Sequence, residues 1–178
     1  MRRVVFTGGP GAGKTALLCA LRARGHVVVD ETARAIIRSR LGCALSPRPP
    51  PLEFAQLVLQ RDIEQYDQPL STSEDVAFFD RGILDALCML DHVTPLRDEE
   101  LHAWVSRYPY HRQVFFLPPW EAIYTNDAER DQTFEEAVNA HHTLTEWYRR
   151  CRYEVVEVPR ASIEERCAYV LRMLSQGP

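Results

Sequence analysis

Short apolar runs alternate with longer segments of helical periodicity along this chain. The apolar runs are rich in Val and Phe, which is typical of buried strands, and they lie at 3–7, 27–29, 76–79, 114–117 and 154–158. Between them, apolar residues recur every three or four positions and predict helices at 15–24, 32–41, 53–66, 83–90, 94–107, 134–148 and 163–174. Because strands joined by helices need crossover connections, the pattern predicts an α/β fold in one domain, with a parallel sheet between two layers of helices.

Composition disfavours nucleic-acid-binding, disulfide-rich, zinc-binding and membrane-spanning proteins. The 178 residues carry a net charge of −4 with both signs mixed along the chain, so we expect no nucleic-acid-binding surface. Isolated cysteines suit neither a disulfide framework nor a zinc site, and we expect free thiols at Cys19, Cys43, Cys88, Cys151 and Cys167. No apolar stretch is long enough to span a membrane, and the chain begins directly with the first strand. We therefore expect a cytoplasmic protein without a membrane partner.

One segment matches the phosphate-binding loop pattern G-x-x-x-x-G-K-[ST] over its full length. It consists of Gly8, Gly9, Pro10, Gly11, Ala12, Gly13, Lys14 and Thr15. The segment follows the first predicted strand and precedes the first predicted helix, which is the context that such a loop requires. Its glycines let backbone N–H groups turn inward, and the helix adds its positive N-terminal end. The segment therefore predicts a binding site for a nucleoside triphosphate.

Lys14 is the only lysine in the chain, whereas twenty positions are arginine. A phosphate-binding loop needs a compact ammonium group that can follow the β- and γ-phosphate oxygens, and a planar guanidinium is too wide for that loop. The alternative interpretation is a chance glycine-rich turn, which the strand-loop-helix context disfavours. Lys14 is therefore predicted to bind the phosphates and to take part in catalysis.

Two residues are candidates for binding Mg²⁺. Thr15, at the end of the loop, can offer its hydroxyl group to the ion. Asp80 closes the third predicted strand, and an acid at the end of a neighbouring strand is the expected second contact, directly or through water. The alternative function of Asp80 is to cap the helix that follows, and the two functions are compatible.

A pair of acids, Asp30 and Glu31, follows the second predicted strand. An acceptor hydroxyl loses a proton as it attacks phosphorus, and a carboxylate opposite the γ-phosphate can orient that hydroxyl and take the proton. Glu31 is the better candidate for this catalytic role, and Asp30 is the alternative. Either acid could instead stabilise the start of the next helix without taking part in catalysis.

Three arginines lie where a phosphate is expected. Arg34 is in the second predicted helix, Arg81 follows Asp80, and Arg130 is in a polar segment after the fourth strand. A transferring phosphoryl group spreads its charge over three oxygens, and arginines that close over it from a mobile lid stabilise that charge and exclude water. Arg130 is the lid candidate and Arg81 is a further catalytic candidate. The alternative for each arginine is a solvated surface charge.

Together these motifs resemble the AAA-domain ATPase-like family of small P-loop proteins related to ribosylnicotinamide kinase. The resemblance covers nearly the whole chain and rests on the segments 8–15, 29–34, 79–82 with Asp85, 116–121 and 156–160. The acid after the second strand and the Asp-Arg pair after the third are also similar to those of deoxynucleoside and thymidylate kinases. We expect no ring ATPase, because the sequence shows neither the extra helical domain nor the sensor arginines of that class.

The resemblance implies a P-loop NTPase fold of the nucleoside- or nucleotide-kinase type, with strand order 2-3-1-4-5. It further implies ATP as phosphate donor, Mg²⁺ as cofactor and a contact between Arg160 and the nucleotide. Two functions stay open. The first is a kinase for a hydroxyl group of a small, nucleoside-like molecule, held by the segment from Arg34 to the helix at 53–66. The second is a stand-alone NTPase or nucleotide-dependent switch that acts on a protein partner. The acid after the second strand and the arginine-bearing segment after the fourth favour the kinase.

Overall fold

The computed structural model describes residues 1–70, 75–124 and 133–176. In these ranges the strands are β1 (Arg2–Thr7), β2 (Val27–Val29), β3 (Val76–Asp80), β4 (Gln113–Phe116) and β5 (Glu154–Glu157). The α-helices are α1 (Lys14–Ala23), α2 (Thr32–Gly42), α3 (Pro51–Asp67), α4 (Ile83–Asp91), α5 (Asp98–Arg107), α6 (Phe134–Arg150) and α7 (Ile163–Gln176). A single 3₁₀ turn follows β4 at Glu121–Ile123.

The sheet is parallel, with the strand order β2-β3-β1-β4-β5. This order confirms the prediction. Because β1 is the central strand, the phosphate-binding loop that follows it opens in the crevice at the carboxyl ends of the strands, where open α/β sheets bind ligands. Asp80, at the end of β3, is paired in register with Phe6 of β1. The two motifs are therefore neighbours across the sheet.

Successive side chains along each strand point to opposite faces of the sheet, so the core has two layers. Val5 points into a layer that contains apolar residues of α2 to α6, whereas Val4 and Phe6 point into a layer formed with α1 and α7. Phe6 is fully buried there, and its ring stacks on that of Phe115 with 5.4 Å between the ring centroids. Both faces of the central strands are thus covered, which explains why these strands read as continuous apolar runs.

Two helix starts differ from the predicted ones. The helix expected from residue 94 begins at Asp98, because the preceding residues form hydrogen bonds elsewhere: Asp91 accepts a bond from the Leu96 backbone N–H at 2.8 Å, and Arg150 donates to the Leu96 carbonyl at 2.8 Å. Helix α3 begins at Pro51 rather than at residue 53, since proline is well suited to the first turn of a helix. The proline-rich loop is shortened accordingly.

None of the helices in the described ranges is both long enough and apolar enough to cross a membrane.

Candidate active site

The phosphate-binding loop requires glycine at several positions for steric reasons. Gly8, Gly11 and Gly13 have φ angles of 131°, 72° and 79°, in the region that residues with a side chain rarely adopt. A Cβ atom at Gly8 would also collide with the backbone carbonyl oxygen of Leu117. The loop therefore passes so close to the chain after β4 that only a bare backbone fits.

Lys14 is 6% exposed, and its ammonium group lies over its own loop. Its Nζ atom donates hydrogen bonds to the carbonyl oxygens of Gly8 and Gly9, each at 3.2 Å. Burial, followed by the positive field of Arg81, lowers the pKa of Lys14 to about 8, and nearby carboxylates only partly offset this. The site thus contains a cation that is short of negative partners, which a triphosphate would supply.

Glu31 lies in the wall of a cavity beside this loop. Its Oε1 atom accepts a hydrogen bond from Nε of Arg81 at 3.0 Å, and its Oε2 atom is 3.3 Å from Nε of Arg34. Burial opposes ionisation of Glu31, but the positive charges of Arg81, Lys14 and Arg34 outweigh it and hold the pKa below its usual value. Glu31 is therefore an ionised hydrogen-bond acceptor at neutral pH.

The neighbouring acid, Asp30, has a different environment. Its side chain is 78% exposed, and Oδ1 pairs with Nη2 of Arg22 at 2.7 Å on the protein surface. Glu31 occupies the position before the first residue of α2, yet its carboxylate makes no capping hydrogen bond. Of the two acids, Glu31 is thus the one turned towards the loop and Lys14.

Arg81 connects the parts of the site. Besides its bond to Glu31, Nη1 donates to Oδ1 of Asp85 at 3.1 Å, and Nη2 donates to the Gly8 carbonyl at 3.0 Å. Although burial opposes it, the surrounding carboxylates, Glu31 first, raise the pKa of Arg81 above its usual value. Its backbone is left-handed, with φ of 67°, and its N–H donates to the Phe6 carbonyl at 2.9 Å. One guanidinium therefore joins the loop, the start of α2 and helix α4.

Asp85 is the buried anchor of this arrangement. It accepts hydrogen bonds from the hydroxyls of Thr7 at 2.5 Å and Tyr148 at 2.6 Å, and from the backbone N–H of Gly82 at 3.1 Å. These contacts, together with Arg81, saturate the carboxylate with donors. The sequence placed Asp85 only within a motif, and its function in holding Arg81 depends on partners 63 and 78 residues away.

Asp80 has the properties of a metal ligand. Its Oδ1 atom is buried and has no hydrogen-bond partner among the described residues. Burial raises the pKa of Asp80 to about 6, against the lowering effect of Lys14. It does not cap α4, whose capping position is Gly82. A bound Mg²⁺ would supply the missing partner and stabilise the ionised form.

The expected environment of Mg²⁺ is consistent with these residues. Thr15 is exposed in the first turn of α1. Among the described residues no cluster of three or more His, Cys, Asp or Glu side chains could hold a metal. Mg²⁺ needs no such cluster when a nucleotide is bound, because phosphate oxygens and water complete its coordination. Thr15 and Asp80 therefore fit the ion as partners of a nucleotide.

The remaining predicted residues lie apart from this centre. Arg160 is exposed after β5, and its Nε atom donates to the carbonyl of Pro119 at 3.0 Å. Arg130, the lid candidate, lies outside the described residues. The roles of both arginines in nucleotide binding stay predictions.

The cavity has a volume of about 670 Å³, which lies in the range of small-molecule sites. Lys14, Glu31, Arg34 and Arg81 line one part of it, and apolar residues of α2, α3, α4 and α6 line much of the rest. Asp62 of α3 also lines the cavity, and burial raises its pKa to about 7. Sequence reasoning missed this residue as a functional candidate, although an acid on an otherwise apolar helix face is an available signal.

Comparison with known proteins gives a family and a fold. The model of a family described as "AAA domain" matches residues 3–166. None of the curated proteins matches the chain. The relation to ribosylnicotinamide kinase therefore stays a prediction.

Several solved structures with a similar fold are kinases. Deoxyadenosine kinase from M. mycoides with bound dATP superposes with a TM-score of 0.65 at 12% identity, over 99% of this chain and 100% of that one. Shikimate kinase from Aquifex aeolicus VF5 superposes with a TM-score of 0.55 at 18% identity, over 97% and 96% of the two chains. At such low identities the likeness establishes the P-loop kinase fold and leaves the substrate open.

The raised pKa of Asp62 predicts a pH-dependent stability. The folded-state pKa of about 7 exceeds the unfolded value of roughly 3.9, so the stabilising proton is lost as the pH rises through 7. Relative to Asp62→Asn, the wild-type free energy of unfolding should fall by about 2–3 kcal/mol between pH 5 and pH 8. Urea denaturation at both pH values measures it.

The matched control is Asp30→Asn, which removes an exposed carboxylate and should keep the fall in stability that the wild type shows between the two pH values. Parallel pH profiles for the wild type and Asp62→Asn would show that Asp62 titrates like an ordinary surface acid.

Proposed function

This chain belongs to the AAA-domain family, and we propose that it is a phosphotransferase that moves the γ-phosphate of ATP to a hydroxyl group of a small molecule. One observation carries the proposal: Lys14 of the phosphate-binding loop and the Glu31 carboxylate line the same cavity, which extends beyond them far enough to hold an acceptor. Hydrolysis alone or a switch function needs no such second compartment. The kinases of similar fold support the same reaction class.

In the proposed reaction the acceptor oxygen forms a bond to the γ-phosphorus while the bond from that phosphorus to the β,γ-bridging oxygen breaks, and ADP leaves. The acceptor hydroxyl donates a hydrogen bond to Glu31 before attack, and its proton passes to that carboxylate as the new bond forms. Because the pKa of Glu31 is held low, its main contribution is to orient the hydroxyl and to take the proton late, when the oxygen has become acidic.

Charge on the moving phosphoryl group is stabilised by cations that are already in place. Lys14 exchanges its loop carbonyl contacts for β- and γ-phosphate oxygens, and Arg34 approaches the same region from α2. Arg81 acts mainly by holding Glu31 and the loop, since all three of its nitrogen atoms already contact protein groups. Arg130 is proposed to close over the phosphates.

Mg²⁺, with Thr15 and Asp80 as its protein partners, would neutralise phosphate charge when bound. The fold neighbours suggest a nucleoside-like acceptor, because one of them is a deoxyadenosine kinase whose structures contain dATP or dCMP and dCDP. The other is a kinase for shikimate, so the two neighbours differ in the class of acceptor and leave that class open.

Replacement of Lys14 by Ala should abolish ATP turnover and weaken ATP binding, because it removes the buried cation that faces the β- and γ-phosphates. The fold should survive, since among the described residues Lys14 donates hydrogen bonds only to two carbonyl oxygens of its own loop. ADP release and ATP affinity by calorimetry measure the two effects. An unchanged rate in a folded variant would contradict the assignment of the loop.

Replacement of Asp80 by Asn should lower the rate at least ~10²-fold, because the amide keeps the shape of the side chain but lacks the charge that holds Mg²⁺. The Mg²⁺ concentration needed for half-maximal rate should rise in parallel. A titration of the rate with Mg²⁺ measures this, and retention of both the rate and the Mg²⁺ dependence would exclude Asp80 as a metal partner.

Replacement of Glu31 by Gln should lower phosphotransfer by roughly 10²–10⁴-fold with little change in nucleotide affinity, because the acceptor loses the carboxylate that orients it. Asp30→Asn is the matched control and should leave transfer nearly unchanged, since Asp30 faces solvent. Acceptor phosphorylation and ATP binding are measured on the same preparations. A nucleotide-dependent switch would instead keep its partner binding in both variants. Loss of transfer in Asp30→Asn alone would reverse the assignment of the two acids.

A further inference from the structure

Asp62 is a buried acid that the proposed phosphotransfer does not use. It is 8% exposed and lines the same cavity as Glu31 and Asp85. Those two carboxylates are paired with arginine: Glu31 with Arg81 and Arg34, and Asp85 with Arg81. In the part of the chain that the structure describes, Asp62 forms no ion pair with an arginine or a lysine.

The hydrogen bonding of Asp62 is incomplete as well. The hydroxyl of Thr32, at the start of α2, lies beside it and partly offsets the rise in its pKa. That hydroxyl has a single proton, and it already donates to Oε1 of Gln65 at 3.1 Å. Two acceptors therefore compete for one donor. A carboxyl group has room for about four hydrogen bonds, so the cavity side of Asp62 lacks donors.

Apolar side chains line much of the cavity wall on the α3 side, although Thr32 and Arg48 also line the cavity. Phe54 and Val58 lie on the same helix, and Leu144 of α6 and Met89 of α4 line the cavity as well. An unpaired acid in such a wall destabilises the folded protein unless a ligand completes its contacts. An acid in this setting is therefore a candidate for ligand recognition rather than for packing.

We propose, on the premise of the phosphotransfer function above, that Asp62 selects an acceptor which combines the reacting hydroxyl with a nitrogen-bound hydrogen-bond donor on an apolar or aromatic body. The hydroxyl lies at Glu31, the body lies against Phe54, Val58 and Leu144, and the N–H group donates to Asp62. Asp62 is in this sense a specificity residue, distinct from the residues at the reacting phosphate.

The chemistry of the wall selects nitrogen over oxygen. A second hydroxyl group on the acceptor would donate one proton to Asp62, but it would bring two lone pairs that need donors of their own, and the side chains of Phe54, Val58 and Leu144 offer none. An aromatic amine or ring N–H brings donors without that cost, and the two oxygens of Asp62 can accept two of them. A carboxylate on this part of the acceptor would face Asp62 with a like charge.

Matched pairs of acceptors test the proposal with the intact protein. The pairs are 2′-deoxyadenosine with purine 2′-deoxyriboside, and 2-aminobenzyl alcohol with benzyl alcohol, which differ only in the amino group; shikimate is the anionic probe. At pH 8, where Asp62 with its pKa of about 7 is mostly ionised, phosphorylation from ATP should show a kcat/KM about 10- to 100-fold higher for the amino member of a pair, the effect of a hydrogen bond to a charged group. Asp62→Leu should reduce that ratio to near one.

Two control variants separate recognition from damage. Glu64→Leu changes an exposed acid on the opposite side of α3 and should keep the ratio. Asp62→Asn retains one carbonyl acceptor and should give an intermediate ratio. Urea denaturation establishes that each variant is folded before its kinetics are compared.

Several outcomes would overturn the proposal. They are equal turnover within both pairs, a preference for shikimate, an unchanged ratio in Asp62→Leu, or transfer to none of the amino compounds. Transfer to shikimate would leave the phosphotransferase proposal intact while ending this one. If no compound is phosphorylated, Lys14-dependent ATP turnover decides separately whether the proposed function survives in any form.

Discussion

The forked contact of Arg81 holds the site together. Its three nitrogen atoms contact Glu31, Asp85 and the Gly8 carbonyl. Glu31 lies 50 residues and Gly8 73 residues before Arg81 in the sequence. Removing Arg81 would leave the partly buried carboxylate of Glu31 and the buried one of Asp85 without their shared positive charge, which destabilises a folded protein. The contacts also hold Arg81 in a left-handed backbone conformation that an isolated arginine would rarely adopt.

Much of the fold follows from local pattern. The strands at 3–7 and 76–79 were predicted to within one residue, because both of their faces are buried and the resulting apolar runs are unambiguous. The predicted start of α5 was wrong, because Leu96, just before the helix, is hydrogen-bonded to Asp91 and to Arg150. Arg150 lies more than fifty residues further along the chain. Local sequence preferences do not reveal a contact with a residue so distant in the sequence.

The candidate site was predictable as far as its chemistry follows from the motif. The phosphate-binding loop and the acids after β2 and β3 were identified from residue type and position. The choice between Asp30 and Glu31 depends on where Arg22 and Arg81 lie in space, which spacing does not reveal. Asp62 was missed because its position on the apolar face of α3 resembles ordinary packing. The significance of Asp62 appears only from the structure, where it lines the cavity without an ion pair among the described residues and burial raises its pKa.

The lowered pKa of Lys14 would make the proposed binding of a nucleotide dependent on pH. In the protein without a ligand its ammonium is satisfied only by two peptide oxygens, and its pKa of about 8 means that a substantial fraction of molecules carries a neutral amine in mildly alkaline solution. A triphosphate favours the charged form strongly. In the proposed complex, association above neutral pH would therefore be accompanied by uptake of a proton, and the affinity would decline as the solution becomes more alkaline.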